Sequence, residues 1–457
     1  MRARHQRQTR GMTGLAILVL IVGGVGCSQA PPPVIETAPP VSVKTPVVFV
    51  PGVTGVALRD GVTGRYVWGR GKNLIRPHDR GHGMARSLTA SHPGPQLVPG
   101  GVILDLKLFG LIRFRVYQQL VDLFRAHGYR LGDLEHPRPT DEFFLYSYDW
   151  RQDNVASAAR LADQLEALRR ARGQKTLRIN LICQSNGAHV CRYFTKYGGL
   201  DLEEAESGLA RAPASSTVEN LILVGASNGG SIRVLRELDR GRRYVDLVGR
   251  RFAPETLFTF ISLYQDLPAY SDDLFVDESG RPMAVDLYDA ETWKRFQWSI
   301  YGWQMSRRSG RDDLPSWFGS QAQRHGYLVG ALDRARRFHG LLQQDAKDFG
   351  ATRYYLIANT GIETSSRAVL VRETEGWQTR FADDKKVRRN STLRSAVVVA
   401  GDGHATAASQ KWLSPQEIER LGRNVREVEG THRRIILQDS AHQWIMQILA
   451  AGAPDGS

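Results

Sequence analysis

Cysteine is scarce, with three in 457 residues, and the first, Cys27, closes an N-terminal leader. Only Cys183 and Cys191 remain for the body of the chain. That is too few for a disulfide framework, and both are expected as free, buried thiols. A second long apolar stretch is also missing, so the chain past the leader is expected to be soluble. No repeat of 20 to 50 residues is visible, which excludes a solenoid or propeller. Acidic residues fall short of basic ones, 47 against 61, for a formal charge of +14.

The leader has a basic start, Arg2, Arg4, Arg7 and Arg10, and a short apolar run from Leu15 to Val22. That run is far below the roughly 20 residues needed to span a bilayer, so it is a signal-peptide core. Gly23-Gly24-Val25-Gly26-Cys27 resembles the lipobox of bacterial lipoproteins, with Gly24 where leucine is usual. The resemblance implies lipidation of Cys27, and Ser28 after it implies outer-membrane sorting; an ordinary signal peptide cut nearby is the alternative. Residues 29–46 are proline-rich and read as an extended tether with a reach of about 50 Å. The cluster Arg334-Ala335-Arg336-Arg337 and the run 385–389 are solvated faces or, alternatively, docking patches for anionic lipid. Export removes nucleic acid as a partner.

Beyond the tether, strands and helices alternate. Val47 to Val50 is an apolar strand closed by Pro51-Gly52. Residues 113–127 carry Val116, Leu120, Val121 and Phe124 at helical spacing, ending at Gly128. Phe143 to Tyr148 predicts a strand, 154–172 a helix, Leu177 to Cys183 a strand, Asn186 to Tyr197 a helix, and Val218 to Val224 a strand. This pattern predicts an α/β protein with a mostly parallel sheet covered on both faces. From 228 to 350 the alternation fails in an aromatic-rich stretch with Trp293, Trp298, Trp303 and Trp317, expected as an inserted cap. Strands are predicted again at Arg353 to Ile357, Ala396 to Val399 and Ile435 to Leu437. The expected layout is a signal peptide at 1–27, a tether at 28–45, a first core part at 46–227 and a cap at 228–350. A second core part at 351–450 and a tail at 451–457 complete it.

Cys183-Gln184-Ser185-Asn186-Gly187 lies on a predicted strand-to-helix junction. It matches the G-x-S-x-G nucleophile elbow with cysteine in the first glycine position. Serine needs a base, and the base needs a carboxylate to orient it, in the chain order Ser, acid, His. Asp402, between Gly401 and Gly403 after a predicted strand, is the expected acid. His442, at the start of a helix after Ile435 to Leu437, is the expected base. Asp439 is too near His442 in sequence, and His404 is on the wrong loop for a base. Backbone donors for an oxyanion are expected from the N–H groups of Asn186 and Val53. A metal at His78, Asp79 and His82 is not expected, because flanking glycines deny a rigid face, and no cofactor is expected.

With these residues in place, the chain resembles the lecithin:cholesterol acyltransferase family, including its lysosomal phospholipase A2 branch. The likeness runs through PVVFVPGVTGVAL (46–58), YSYDWR (146–151), the elbow, LILVGASNGGSIRVLRELDRG (221–241) and GDGHAT (401–406). It implies an α/β-hydrolase fold with a membrane-facing cap and places Ser185, Asp402 and His442 on the family's triad. It also sets Val53 and Asn186 on its oxyanion donors and puts Trp150 and Thr54 on the substrate side. Ser227-Asn228 in place of Pro-Trp, and His404-Ala405 in the GDGTV stretch, depart from the pattern. The expected function is an exported, membrane-anchored lipid acyl hydrolase or acyltransferase. The alternatives are a soluble-substrate carboxylesterase and an inactive lipid-binding scaffold.

Overall fold

The computed structural model describes residues 43–70, 79–88, 96–108, 112–208, 216–243, 251–302, 314–346 and 350–451. The leader, Cys27, most of the tether, His78 and Trp303 lie outside the described residues.

Seven strands form one sheet. In chain order they are β1 (Val47–Val50), β2 (Leu131–Gly132), β3 (Phe143–Leu145), β4 (Leu177–Gln184), β5 (Ser216–Val224), β6 (Arg353–Ala358) and β7 (Val425–Glu427). Their spatial order is β7-β6-β5-β4-β1-β3-β2, and every pairing is parallel. Successive side chains on a strand point to opposite faces, and both faces are covered here, so the central strands need apolar residues at every position. Val48 and Val50 of β1, with Ile179 and Leu181 of β4, enter one core, while Val47 and Phe49 with Ile182 enter the other. Full burial of each such side chain contributes about 1.5–3 kcal/mol.

The principal helices are α1 (Gln118–Ala126), α2 (Asn154–Ala171), α3 (Gly187–Tyr197), α4 (Ile232–Arg240), α5 (Gln321–Gln343), α6 (Pro415–Leu421) and α7 (Asp439–Ala451). Leu161, Leu165 and Leu168 of α2 and Val190 of α3 pack on the first face, and Leu120, Val121 and Phe124 of α1 with Ile445 and Leu449 of α7 pack on the second. Asp153 caps α2 by accepting from the Val155 N–H at 2.8 Å, which satisfies a donor the helix itself leaves open. Among the described residues no helix is long and apolar enough to cross a membrane.

The stretch from 228 to 350 is more regular than its sequence suggests. It contains α4 and the 23-residue α5, which opens with a capping box between Ser320 and Gln323. It is also tied to the later chain, since Phe275 and Val276 pair in parallel with Ala368 and Val369. Trp298 is buried there and donates its indole N–H to Thr379 Oγ1 at 2.6 Å.

Three sequence expectations fail. Ile435–Leu437 is a 3₁₀ turn, not a strand; the last strand is the polar Val425–Glu427 at the sheet edge, paired only with β6. An apolar run of three residues carries too little periodicity to separate a turn from a strand. The predicted strand Ala396 to Val399 straddles the end of a helix (Ser391–Val397) and a strand (Val398–Gly401). That strand pairs antiparallel with Ile362–Ser365, outside the main sheet.

Third, Cys183 and Cys191 are joined in a disulfide with a Cα–Cα separation of 6.4 Å, not free thiols. The chain reverses so tightly between β4 and α3 that residues eight apart in sequence meet. The cross-link closes a loop around Ser185, and chain-entropy arguments put its contribution at about 2–3 kcal/mol. The double variant Cys183→Ala/Cys191→Ala is expected to lose that much in urea unfolding. Alkylation of the denatured, unreduced protein should leave both cysteines unmodified; finding them alkylated would refute the bond.

Candidate active site

Ser185 stands at the turn from β4 into α3 with φ of +54°. This left-handed conformation is costly for a residue with a Cβ and persists only where the surroundings enforce it. Two glycines make room for it. A Cβ on Gly52 would sit 2.7 Å from Ser185 Cβ, and one on Gly187 would meet the Val50 carbonyl oxygen at 2.4 Å. The elbow therefore needs glycine on the loop after β1 and at the start of α3, while its first glycine position accepts Cys183, whose side chain is used in the disulfide.

Ser185 Oγ lies 2.8 Å from His432 Nε2. His432 Nδ1 lies 2.8 Å from Asp402 Oδ2, and the His432 N–H donates to the Asp402 carbonyl at 2.9 Å. An ionised carboxylate can only accept, so its contact with Nδ1 puts the imidazole proton there and leaves Nε2 to accept from the serine hydroxyl. Asp402 is fully buried, and its other oxygen accepts from the N–H groups of His404 (2.9 Å) and Ala405 (2.8 Å). Burial by itself would raise this carboxyl. The charge and hydrogen bond of His432, with the His404 N–H, outweigh it and hold the group below the ordinary carboxylate value.

The structure brings Ser185 and Asp402 together as expected, but the histidine between them is His432. His442 lies in the first turns of α7, 8% exposed, with Nε2 bound to the Ile436 carbonyl at 2.8 Å. Taking Ile435–Leu437 for the last strand moved the expected base ten residues too far along the chain. With β7 recognised as that strand, the first histidine past it is His432, in the loop Gly430-Thr431-His432. Asp439 is exposed in the first turn of α7.

His404 also belongs to the surroundings of the site. Its ring centre is 4.5 Å from that of His432, and its Nε2 is 3.4 Å from Asp266 Oδ2. Burial first, and the neighbouring His432 second, push His404 well below the ordinary imidazole value. Burial likewise pushes Asp266 up.

A cavity of about 440 Å³ opens over Ser185, walled by Gly52, Val53, Thr54, Tyr117, His404 and His432 among others. The N–H groups of Val53 and Asn186 have no hydrogen-bond partner among the described residues. The Asn186 side chain is held by reciprocal bonds with Asn154, at 2.9 and 3.2 Å. Thr54 lines the cavity with φ of +73°. Trp150 is set back from the cavity, 1% exposed, donating its indole N–H to the Val56 carbonyl at 2.9 Å. It walls a smaller apolar void behind Val53 and Thr54. Beside it Asp149 and Arg151 form a buried pair at 2.7 Å, and Arg151 also donates to the Met84 carbonyl. Tyr148 donates to the Pro51 carbonyl at 2.7 Å. The segment 148–151 thus fixes the loop that carries Val53. His82 turns its Nε2 to Glu255 at 3.2 Å.

No protein-family model matches the chain, and no curated protein matches it in sequence. Among solved structures, a chain in the crystal structure of the Tle4–Tli4 complex is similar in fold. The likeness has a TM-score of 0.52 at 14% identity and covers 90% of this chain and 99% of that one. At that identity it establishes architecture alone, and the architecture is the α/β-hydrolase fold, with a mostly parallel sheet, helices on both faces and a large insertion.

Proposed function

We propose that this chain is a serine-dependent acyl hydrolase or acyltransferase that acts on lipid esters through an acyl-enzyme. The observation that carries the proposal is the unbroken chain Ser185 Oγ–His432–Asp402, with 2.8 Å at each link, at the floor of an open cavity. In this reading His432 Nε2 takes the Ser185 proton as Oγ attacks the ester carbonyl. Asp402 stabilises the imidazolium and fixes its orientation. The N–H groups of Val53 and Asn186 receive the oxyanion, each donor being worth about 3–4 kcal/mol in the transition state. His432 then protonates the departing alcohol, leaving the acyl group on Ser185. Water as second acceptor completes a hydrolysis, and a lipid alcohol completes a transfer.

The lipid assignment rests on the sequence resemblance to the lecithin:cholesterol acyltransferase family and on the leader, which supports attachment through Cys27 to a membrane surface. The test is a fluorophosphonate probe applied to residues 28–457, together with an ester lipid and an alcohol acceptor. Labelling that vanishes in Ser185→Ala, with acyl release or transfer, is the expected result. A folded protein that neither labels nor turns over would overturn the catalytic reading in favour of a binding scaffold.

A further inference from the structure

The wall of the catalytic cavity carries four arginines, Arg115, Arg242, Arg433 and Arg434. Its acidic contribution is Asp266, which is 3% exposed and turned toward His404. Arg242 is held by Glu237 at 3.1 Å. Arg115 and Arg434 have no carboxylate partner among the described residues. They are remote from each other in the chain: Arg115 closes the strand Ile112–Arg115 just before α1, and Arg434 follows His432 by two residues. A guanidinium presents a planar fork of donors suited to phosphate or carboxylate oxygens. Several of one sign around a low-dielectric cleft add their fields and favour an incoming anion.

We propose that Arg115 and Arg434 recognise a net-anionic headgroup on the ester that Ser185 attacks. The substrate class is therefore a glycerophospholipid with a phosphodiester and no compensating cation. This inference rests on the acyl-transfer reading above and narrows it. The cavity rim already carries an excess of positive charge, so a choline or ethanolamine headgroup would bring a further cation against it. An anionic phosphodiester meets the two guanidiniums without that opposition, and with the headgroup so held the acyl carbonyl is presented to Ser185.

The experiment uses the full chain carrying Ser185→Ala, so that binding is read without turnover. Monomeric dihexanoyl phosphatidylglycerol and dihexanoyl phosphatidylcholine, matched in acyl chains and kept below micelle-forming concentrations, are titrated calorimetrically. The anionic lipid is expected to bind at least tenfold more tightly. Adding Arg115→Gln and Arg434→Gln should bring the two affinities together, and both positions are exposed enough for the fold to persist, as circular dichroism would verify. Equal affinities at the outset, no binding of either lipid, or a preference that survives both substitutions would overturn the proposal. So would a preference seen only on anionic vesicles, which would assign it to surface clusters such as 385–389. Fluorophosphonate labelling of the unsubstituted chain reports on the catalytic reading independently, so the two failures are distinguishable.

Discussion

Replacing His432 by alanine should lower kcat by about 10⁴- to 10⁶-fold, the range seen when a catalytic triad loses its base. KM should change little, because in the proposed mechanism the imidazole acts on the proton of Ser185 and not on the bulk of the substrate. Asp402→Asn should follow with about 10⁴-fold, since an amide can donate to Nδ1 and so favour the wrong tautomer. His442→Ala is the informative control. It removes a buried hydrogen bond to Ile436 and should lower stability by about 1–3 kcal/mol while leaving kcat of the folded protein nearly unchanged. Steady-state kinetics on a chromogenic short-chain ester, with unfolding curves for each variant, would decide. Comparable losses of kcat in the two histidine variants would remove His432 from its assigned role.

Glu417→Ala should destabilise the fold by about 3–5 kcal/mol, the largest stability effect expected from one side chain here. Glu417 is completely buried, as are the side chains of Arg192 and Lys196 that meet it at 2.6 and 3.4 Å. It also accepts from the Ser414 N–H at 2.8 Å and from the Tyr354 hydroxyl at 3.3 Å. Lys196 donates in addition to the carbonyls of Leu342 and Gln344 at 2.7 and 2.9 Å. Burial would raise Glu417, but the charge and hydrogen bonds of Arg192 hold it below the ordinary carboxylate value. Burial also pushes the Lys196 ammonium down to about 8 against the pull of Glu417. Removing the carboxylate strands two cations without compensation in a region water does not reach. The cluster ties α3, the helix that follows Ser185, to α6 and to the end of α5. Urea denaturation is therefore expected to show the loss, and activity near the unfolding midpoint to fall with it. By contrast, breaking the half-exposed pair of Arg160 and Glu135 should change stability by less than about 1 kcal/mol. A loss of that small size in Glu417→Ala would show that the buried cluster relaxes or hydrates.

Elements with a strong local signature are legible in the amino-acid sequence. β1, β4, α2 and α3 fall within a residue or two of their expected limits, because β-branched apolar runs bounded by turn signals and a 3.6-residue period are strong local signals. Ser185 is legible for the same reason: a hydroxyl between a buried strand and a helix, flanked by small residues, marks an elbow. The polar strand Val425–Glu427 is not legible. A three-residue edge strand paired on one side needs no apolar alternation, so its sequence looks like a loop. That omission displaces the expected base from His432 to His442. The disulfide escapes sequence reasoning because two cysteines eight apart meet only if the chain reverses between them, and pairing distance is not written in spacing alone.

The sequence by itself determined the strand–helix alternation from β1 through β5, the elbow at Ser185 and the glycine-flanked turn at Asp402. Each of these depends on neighbours within a few positions, where steric and periodic constraints act locally. Tertiary structure alone decided which of twelve histidines stands between Ser185 and Asp402. Those two residues lie 217 positions apart in the numbering, and in the fold each meets a different ring nitrogen of His432. It also decided that Arg115 and Arg434, remote in the chain, share one cavity wall. Such choices follow from the packing of the sheet and its covering helices, where burial and hydrogen-bond satisfaction select one arrangement among several that the local sequence permits equally.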